Sequence, residues 1–175
     1  MGQQTRRGLV QVYTGDGKGK TTASLGLALR AAGHGMSTVI IQFIKSMECG
    51  EHRALARLSP LVQVLVGGNG FVVDRPGAAD LGCAASALAA ARTIMAGEAC
   101  DLLVLDEVNC ALSCGLLELD KVLETITAKP PRMELVLTGR GAPPEIIARA
   151  DLVTEMRALK HPFEAGQPAR PGIEY

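Results

Sequence analysis

The stretch Thr14-Gly15-Asp16-Gly17-Lys18-Gly19-Lys20-Thr21-Thr22 decides the fold of this chain. Three glycines within five residues permit positive φ angles and let backbone N–H groups approach an anion closely. Lys20 adds a positive charge, and Thr21 adds a hydroxyl group suited to Mg²⁺. We therefore interpret residues 14–22 as a loop that cradles phosphate groups, and we call it the phosphate loop. The residues predicted to bind a triphosphate are Gly15, Asp16, Gly17, Lys18, Gly19, Lys20, Thr21 and Thr22.

The sequence on either side of the phosphate loop supports this interpretation. Residues 9–13 form an apolar and β-branched run typical of a strand, and residues 22–32 are rich in alanine and leucine. Gly33 and Gly35 follow as a helix stop. The usual motif has glycine where this chain has Thr14, so a glycine-rich turn is the alternative. The order strand, loop, helix favours phosphate binding.

Length and composition limit the remaining possibilities. The chain has 175 residues, enough for one α/β domain with a sizeable core, so we predict a single domain over residues 1–175. Its formal net charge is zero, which predicts neither nucleic acid nor a membrane as a partner. No apolar run approaches the ~20 residues needed to cross a bilayer, and the first residues lack the apolar core of a signal peptide. We expect a cytoplasmic protein.

Cysteines and histidines do not indicate a metal site. The five cysteines are scattered through alanine- and leucine-rich sequence, and in a reducing compartment we expect thiols. Cys110 and Cys114 could share a helix face, but no second pair of ligands completes a zinc site. We therefore interpret both as buried, small apolar residues. His34, His52 and His161 lie far apart, and we expect surface or loop positions for them.

The order of apolar runs along the chain predicts the fold class. The runs are continuous rather than alternating, which is typical of a parallel sheet covered on both faces. Helix-like stretches separate them, so we predict an α/β fold: a mostly parallel sheet with helices on both faces, of the RecA-like class that binds nucleoside triphosphates. The predicted strands are residues 9–13, 39–44, 61–66, 102–105, 135–137 and 152–153. The predicted helices are residues 21–32, 51–58, 79–96, 120–128 and 144–150.

Two segments show no regular pattern. Residues 67–77 are rich in glycine and contain Phe71, and surface loops of this kind often carry binding residues. Residues from about 160 onward contain several prolines and glycines, which predicts an irregular tail.

Polar residues follow two of the predicted strands. Asp106 and Glu107 end an apolar strand, and carboxylates there lie at the edge of a parallel sheet where ligands bind and can hold Mg²⁺. The alternative is that one of the acids caps the next helix. Arg140 follows residues 135–137 and could reach phosphate oxygens, although an exposed surface arginine is an equally good interpretation.

Several segments together resemble a known family, the ATP:corrinoid adenosyltransferases. They run in order from near the start of the sequence to its last residue, and the family's loop also has threonine at the position of Thr14. The matching segments are Tyr13 to Thr22, Gln42-Phe43-Ile44-Lys45, Gly50-Glu51, Gly70-Phe71, Leu105-Asp106-Glu107, Thr138-Gly139-Arg140, Phe163-x-Ala165-Gly166 and Gly172-Ile173-x-Tyr175. The resemblance implies transfer of the 5′-deoxyadenosyl group of ATP to cobalt(I) of a corrinoid, with release of triphosphate.

The resemblance also implies roles for individual residues and partners. The triphosphate would lie on the phosphate loop, with Thr21 and Glu107 contacting Mg²⁺ and Asp106 orienting them. The residues expected to act in catalysis are Lys20, Phe71, Glu107 and Arg140. The expected partners are ATP, cobalamin or a precursor corrinoid, a reducing protein such as a flavoprotein, and a second copy of the chain in a homodimer.

One position departs from the family. Its best-known members have a phenylalanine and a tryptophan two residues apart, which cover the lower face of the corrinoid. Here Phe71 is present, but the second position is Val73, and the chain has no tryptophan. Valine covers less of the ring, so we expect weaker or differently arranged displacement of the lower cobalt ligand.

Two alternative functions remain open from the sequence. One is an ordinary ATPase or kinase acting on the γ-phosphate, with Glu107 as the base. The other is a carrier that binds a corrinoid or a nucleotide without turnover. The products formed from ATP would distinguish all three.

Overall fold

The computed structural model describes residues 7–70 and 75–175 and contains one sheet of six strands, flanked by helices. The strands are β1 (Val10–Thr14), β2 (Thr38–Gln42), β3 (Val62–Val66), β4 (Leu102–Asp106), β5 (Glu134–Thr138) and β6 (Leu152–Glu155). The helices are α1 (Lys20–Ala32), α2 (Gly50–Leu55), α3 (Ala78–Ala96), α4 (Val108–Ser113), α5 (Leu119–Thr127) and α6 (Pro144–Ile147). Short 3₁₀ turns cover Ala56–Leu58 and Pro162–Ala165.

The strand order brings the polar strand ends together. The order across the sheet is β3-β2-β4-β5-β1-β6, and every neighbouring pair is parallel. Strand β5 therefore separates β1, which leads into the phosphate loop, from β4, which ends in Asp106. In the register of the sheet, Gln42 pairs with Asp106, and Tyr13 pairs with Thr138. The carboxyl ends of these four strands consequently form one polar edge.

Apolar cores lie on both faces of the sheet. Along β4, Leu103 and Leu105 belong to a cluster that includes buried residues of α3, α4 and α5. Leu102 and Val104 belong to a second cluster with residues of α1 and α2. Because side chains alternate between the faces of a strand, this division shows that both faces are covered. The predicted α/β fold with a parallel sheet is confirmed.

Several local predictions needed correction. The short helix α4 was not predicted, and β2 ends at Gln42, two residues before the predicted end. His52 lies in α2 and is partly buried, contrary to the surface or loop position expected for it. All five cysteines are free, as predicted, but Cys114 is exposed and not buried. In the described part of the chain, no helix combines the length and apolar character needed to span a membrane.

Candidate functional site

The phosphate loop adopts a conformation that depends on its glycines. Gly15 and Gly19 have φ angles of 93° and 118°, which side chains with a Cβ atom rarely adopt. A Cβ atom on Gly15 would lie 2.4 Å from the carbonyl oxygen of Met156. The segment after β6 therefore packs directly on the loop, and the N–H of Gly17 donates to the same Met156 oxygen at 2.7 Å. Helix α1 begins at once after Gly19, so its amino terminus faces the loop.

Lys20 places its ammonium group inside the phosphate loop. Its Nζ atom donates to the carbonyl oxygens of Gly15 and Gly17, both at 2.7 Å, and the residue is only 7% exposed. Burial lowers the pKa of Lys20, and the nearby Arg140 charge acts in the same direction, while Glu107 opposes them. The loop therefore contains a positive charge that is held in place by two hydrogen bonds.

Thr14 has a structural explanation for replacing the usual glycine. Its side chain is buried, and its Oγ1 accepts a hydrogen bond from the N–H of Ala142 at 3.2 Å. Ala142 lies on the loop that follows β5 and carries Arg140. The threonine hydroxyl thus ties the phosphate loop to the loop of Arg140, a bond that glycine could not make.

Asp106 is the centre of a buried polar cluster at the strand ends. The hydroxyl groups of Thr21 and Thr138 donate to its Oδ1 at 2.9 and 2.7 Å, and Nε2 of Gln42 donates to Oδ2 at 3.3 Å. Burial raises the pKa of Asp106, although the hydrogen bonds from Thr138 and Thr21 oppose this effect. The carboxylate is fully buried, and its partner Thr21 lines the cleft beside the phosphate loop.

The cluster extends to helix α2 through Gln42 and His52. The N–H of Cys49 donates to Nδ1 of His52 at 2.9 Å, which assigns the remaining ring proton to Nε2. That Nε2–H donates to Oε1 of Gln42 at 2.6 Å, and so fixes the amide of Gln42 with its nitrogen towards Asp106. His52 follows the matching segment Gly50-Glu51, but sequence reasoning gave it no role, and only the fold shows this connection.

Glu107 is held in an unusual backbone conformation beside the buried cluster. Its φ angle is 63°, in the left-handed region that residues other than glycine seldom occupy. Its N–H donates to Oγ1 of Thr138 at 2.9 Å. Strain of this kind is common at functional sites, because it directs a side chain that a relaxed backbone would point elsewhere.

The loop after β5 packs closely against helix α4. Gly139 has a φ of 128°, and a Cβ atom there would lie 2.8 Å from the backbone nitrogen of Cys110. The N–H of Arg140 donates to Sγ of Cys110 at 3.2 Å. Burial and the neighbouring Glu107 raise the pKa of Cys110 to about 12, so its thiol remains protonated and unreactive at neutral pH.

The phosphate loop opens into a cleft of about 660 Å³. Most predicted site residues line it, namely Asp16, Gly17, Lys18, Gly19, Lys20, Thr21, Thr22, Glu107 and Arg140. Gly15 and Asp106 lie behind this lining and position it. Phe71 and Val73 lie outside the described residues, so the expectations for them stay predictions.

Sequence reasoning assigned no role to the opposite wall of the cleft. Lys45 and Glu51 form an ion pair there. Burial acts to lower the pKa of Lys45, but its hydrogen bond to Glu51 and the charge of Glu51 outweigh burial and raise it. Further lining residues come from the end of the chain, which folds back over the cleft: His161, Gly172, Ile173, Glu174 and Tyr175.

The residues predicted for Mg²⁺ fit the chemistry of that ion. Magnesium prefers oxygen ligands and usually takes one or two carboxylates together with substrate phosphates and water. Thr21, which carries a hydroxyl, and Glu107, which carries a carboxylate, both line the cleft into which the phosphate loop opens. Within the described residues, no group of three or more His, Cys, Asp and Glu side chains is arranged to hold a metal ion. A bound Mg²⁺ would therefore depend on the phosphates as well as on the protein.

Comparison with known proteins agrees with this geometry. The sequence model of the family described as ATP:corrinoid adenosyltransferase BtuR/CobO/CobP matches residues 6–175. The chain belongs to this family. It is 42% identical over 171 residues to a corrinoid adenosyltransferase of Pseudomonas aeruginosa, covering 97% of this chain and 84% of that protein. It is 36% identical over 174 residues to the corrinoid adenosyltransferase of Escherichia coli K12, covering 98% of this chain and 88% of that protein.

A solved structure supports the fold independently. A KaiC-like protein from Pyrococcus horikoshii superposes with a TM-score of 0.56 at 19% identity, over 85% of this chain and 73% of that chain. At this identity the likeness concerns the fold, a RecA-like arrangement of parallel sheet and helices. The family and the fold therefore agree with the phosphate-binding interpretation of residues 14–22.

Proposed function

We propose that the protein transfers the 5′-deoxyadenosyl group of ATP to cobalt(I) of a corrinoid, with cobalamin or one of its precursors as the acceptor. The observation that carries this proposal is the phosphate loop with Lys20 in place, within a chain that matches the adenosyltransferase family over residues 6–175. In the reaction a cobalt–carbon bond forms as the bond between C5′ and its oxygen breaks. The electrons of the broken bond leave with triphosphate, and no phosphoanhydride bond is cleaved.

The role that this assigns to the phosphate loop is stabilisation of a leaving group. Negative charge grows on the triphosphate as the bond to C5′ breaks, and donors fixed in advance stabilise such charge most effectively. Lys20 is fixed by its bonds to Gly15 and Gly17, and Arg140 lines the same cleft. Mg²⁺, held through Thr21 and Glu107, would neutralise further charge. The nucleophile belongs to the corrinoid, so no protein nucleophile or general base is needed.

The proposal also includes the reductant, the cellular compartment and the oligomeric state. Cobalt(I) must be generated by a reductant, for which we propose a flavoprotein. The five free cysteines are consistent with a reducing compartment, and we propose the cytoplasm. We also propose that the chain forms one domain and works as a homodimer.

The test is to identify the products formed from ATP. The protein is incubated with ATP, Mg²⁺ and chemically reduced cobalamin, and we expect triphosphate and a light-sensitive alkylcobalt product in equal amounts. ADP or orthophosphate would instead support an ATPase or kinase, and binding of both substrates without any product would support a carrier. Lys20→Ala should lower the rate by about 100-fold or more, since it removes a fixed charge next to the leaving group.

A matched control separates this effect from general damage. Lys121→Ala removes an exposed lysine of α5 that does not line the cleft, and its rate should equal that of the original protein. Unfolding midpoints of both variants should be recorded, so that a fold defect in Lys20→Ala is recognised. Lys20→Arg provides a second variant that keeps the charge but changes its geometry.

A further inference from the structure

The two lysines of the phosphate loop are directed towards different partners. Lys20 Nζ bonds to carbonyl oxygens within the loop. Lys18 Nζ instead donates to the carbonyl oxygen of Ile173 at 3.0 Å and to Oε1 of Glu174 at 2.8 Å. These partners lie 155 and 156 residues further along the chain. Lys18 therefore connects the loop to a distant segment.

That segment, residues 170–175, is organised by its own hydrogen bonds, and we call it the strap. The N–H of Arg170 donates to Oε2 of Glu174 at 2.7 Å, and its guanidinium group donates to the same carboxylate at 3.3 and 3.1 Å. The N–H of Gly172 donates to the carbonyl oxygen of Tyr175 at 2.8 Å. Lys18 is a further donor to Glu174, so the strap carboxylate is bound by two cations.

The strap spans the cleft from the phosphate loop to helix α2. Gly172, Ile173, Glu174 and Tyr175 line the cleft. A Cβ atom on Gly50, the first residue of α2, would lie 3.9 Å from the carbonyl oxygen of Tyr175. Lys18 thus holds the strap at Ile173 and Glu174, and the next residue, Tyr175, reaches the wall formed by Gly50 and Glu51.

Tyr175 lines this cleft and carries an aromatic ring. Among the described residues it is the one phenylalanine or tyrosine that lines the cleft, where His161 is also found. Phe43 is buried at 1% exposure, and the hydroxyl of Tyr13 bonds to Gln11 away from the cleft. Phe163 is 78% exposed and is not among the cleft residues.

We propose that the strap is the part of the site that recognises the nucleoside half of ATP, with Tyr175 contacting the base and Lys18 positioning the strap. This inference rests on the proposed function in one respect, that ATP is the nucleotide bound. It revises the expectation that the Lys18 side chain binds phosphate. The Lys18 ammonium group already donates to Glu174 and to the carbonyl oxygen of Ile173, and a phosphate would have to displace these two acceptors.

The chemistry of the strap suits a neutral aromatic group better than phosphate. Ile173 is 57% exposed and offers an apolar side chain, and Tyr175 offers a ring on which a base can stack. Stacking of a base on an aromatic side chain contributes about 10-fold or more to affinity in other proteins. A cleft of about 660 Å³ also has the size of a site for one nucleotide-sized ligand.

The test compares ATP with inorganic tripolyphosphate, which has the phosphates but no nucleoside. Dissociation constants of both probes are measured with Mg²⁺ by calorimetry, without a corrinoid. Tyr175→Ala should weaken ATP binding by about 10-fold and tripolyphosphate binding by less than about 2-fold, because it removes the stacking surface alone. Lys18→Ala should show the same selective loss, whereas Lys20→Ala should weaken both probes.

Two further variants provide matched controls. Tyr175→Phe keeps the ring and should recover the ATP affinity that Tyr175→Ala loses. Phe163→Ala removes an exposed aromatic of the same tail and should bind both probes as the original protein does. The Tyr175, Phe163 and Lys18 variants should keep the original unfolding midpoint, since these three side chains are exposed or partly exposed.

Two results would overturn the inference. One is unchanged ATP affinity in Tyr175→Ala; the other is an equal loss for ATP and tripolyphosphate in Lys18→Ala, which would make Lys18 a phosphate ligand. Failure of the adenosyl-transfer function is a separate outcome, seen when the original protein binds ATP but forms no alkylcobalt product. In a transfer assay, Tyr175→Ala should raise KM for ATP and leave kcat close to its original value.

Discussion

Two carboxylates touch the phosphate loop in very different environments. Asp106 is fully buried and accepts hydrogen bonds from neutral groups, including Thr21 of the loop. Glu174 is exposed and is bound by Arg170 and by Lys18 of the loop. Burial raises the pKa of Asp106, whereas hydrogen bonds from Arg170 and Lys18 lower the pKa of Glu174 to about 2.

The difference shows how one chemical group serves two purposes in this site. The buried cluster fixes the positions of loop and strand ends, at the cost of removing a carboxylate from water. The exposed cluster retains solvent and salt sensitivity, so its ion pairs contribute little to folding. We infer that the buried cluster maintains the phosphate-binding geometry and that the strap adjusts ligand recognition.

The largest expected effect is a loss of folding stability when the buried carboxylate of Asp106 is removed. Asp106→Ala leaves the donors of Thr21, Thr138 and Gln42 without their acceptor in a buried site, and should lower the free energy of unfolding by about 3 kcal/mol. Urea unfolding monitored by circular dichroism measures this. Asp106→Asn is the control and should lose less, since its amide oxygen still accepts from both threonines. A loss below about 1 kcal/mol in Asp106→Ala would contradict the importance of the cluster.

A smaller loss of folding stability is expected when Thr138, which connects Asp106 to Glu107, is substituted. Thr138→Val keeps the shape but removes the donor to Asp106 and the acceptor of the Glu107 N–H, and should cost about 2 kcal/mol. Thr138→Ser keeps the hydroxyl and should cost no more than about 1 kcal/mol, from the lost methyl group. Equal unfolding free energies for the two variants would show that the hydroxyl has no part in the cluster.

The contact between the strap and the phosphate loop should depend only modestly on pH, and only at acidic pH. Hydrogen bonds from Arg170, within the strap, and from Lys18 of the phosphate loop lower the pKa of Glu174 from 4.5 to about 2. The contribution of these bonds is therefore complete above pH 4.5 and is lost as the pH falls towards 2. The amide resonance of Gly172, followed by NMR, should stay constant down to about pH 5 and shift below it. Glu174→Gln should abolish the shift. A transition near neutral pH instead would mean that another group controls the strap.

The smallest expected effect is that of Glu174→Gln, a variant of the strap, on thermal stability. Glu174→Gln removes an exposed ion pair and should leave the unfolding midpoint unchanged within error, at low and at high salt. Differential scanning calorimetry at two salt concentrations checks this. A clear drop in the unfolding midpoint would show that the ion pairs of Glu174 stabilise the fold. Glu174 would then resemble Asp106 instead of differing from it.

Local patterns predicted the phosphate loop and the parallel strands. The strand, the glycines and the start of α1 lie next to one another in sequence, so spacing alone places Lys20 and Thr21. The six residues of α4 are too few to show helical periodicity, which explains why that helix was missed. The sequence predicted that Glu107 follows strand β4, directly before this helix. It did not predict the left-handed backbone conformation of Glu107.

Contacts between distant parts of the chain could not be predicted in the same way. The bonds from Lys18 to Ile173 and Glu174 join the two ends of the chain, and no short-range pattern encodes them. The link from His52 through Gln42 to Asp106 depends on the register of β2 with β4. Thr14 needed the fold as well, because its partner Ala142 lies on a different loop.

The most direct test of the central claim, that the phosphate loop holds triphosphate as a leaving group, follows a single oxygen atom. ATP is labelled with heavy oxygen at the position that bridges C5′ and the α-phosphorus, and is converted with Mg²⁺ and chemically reduced cobalamin. We predict that mass spectrometry finds all of the label in triphosphate, because the bond from C5′ to that oxygen breaks. Label recovered in ADP or AMP would mean attack at phosphorus and would contradict the claim.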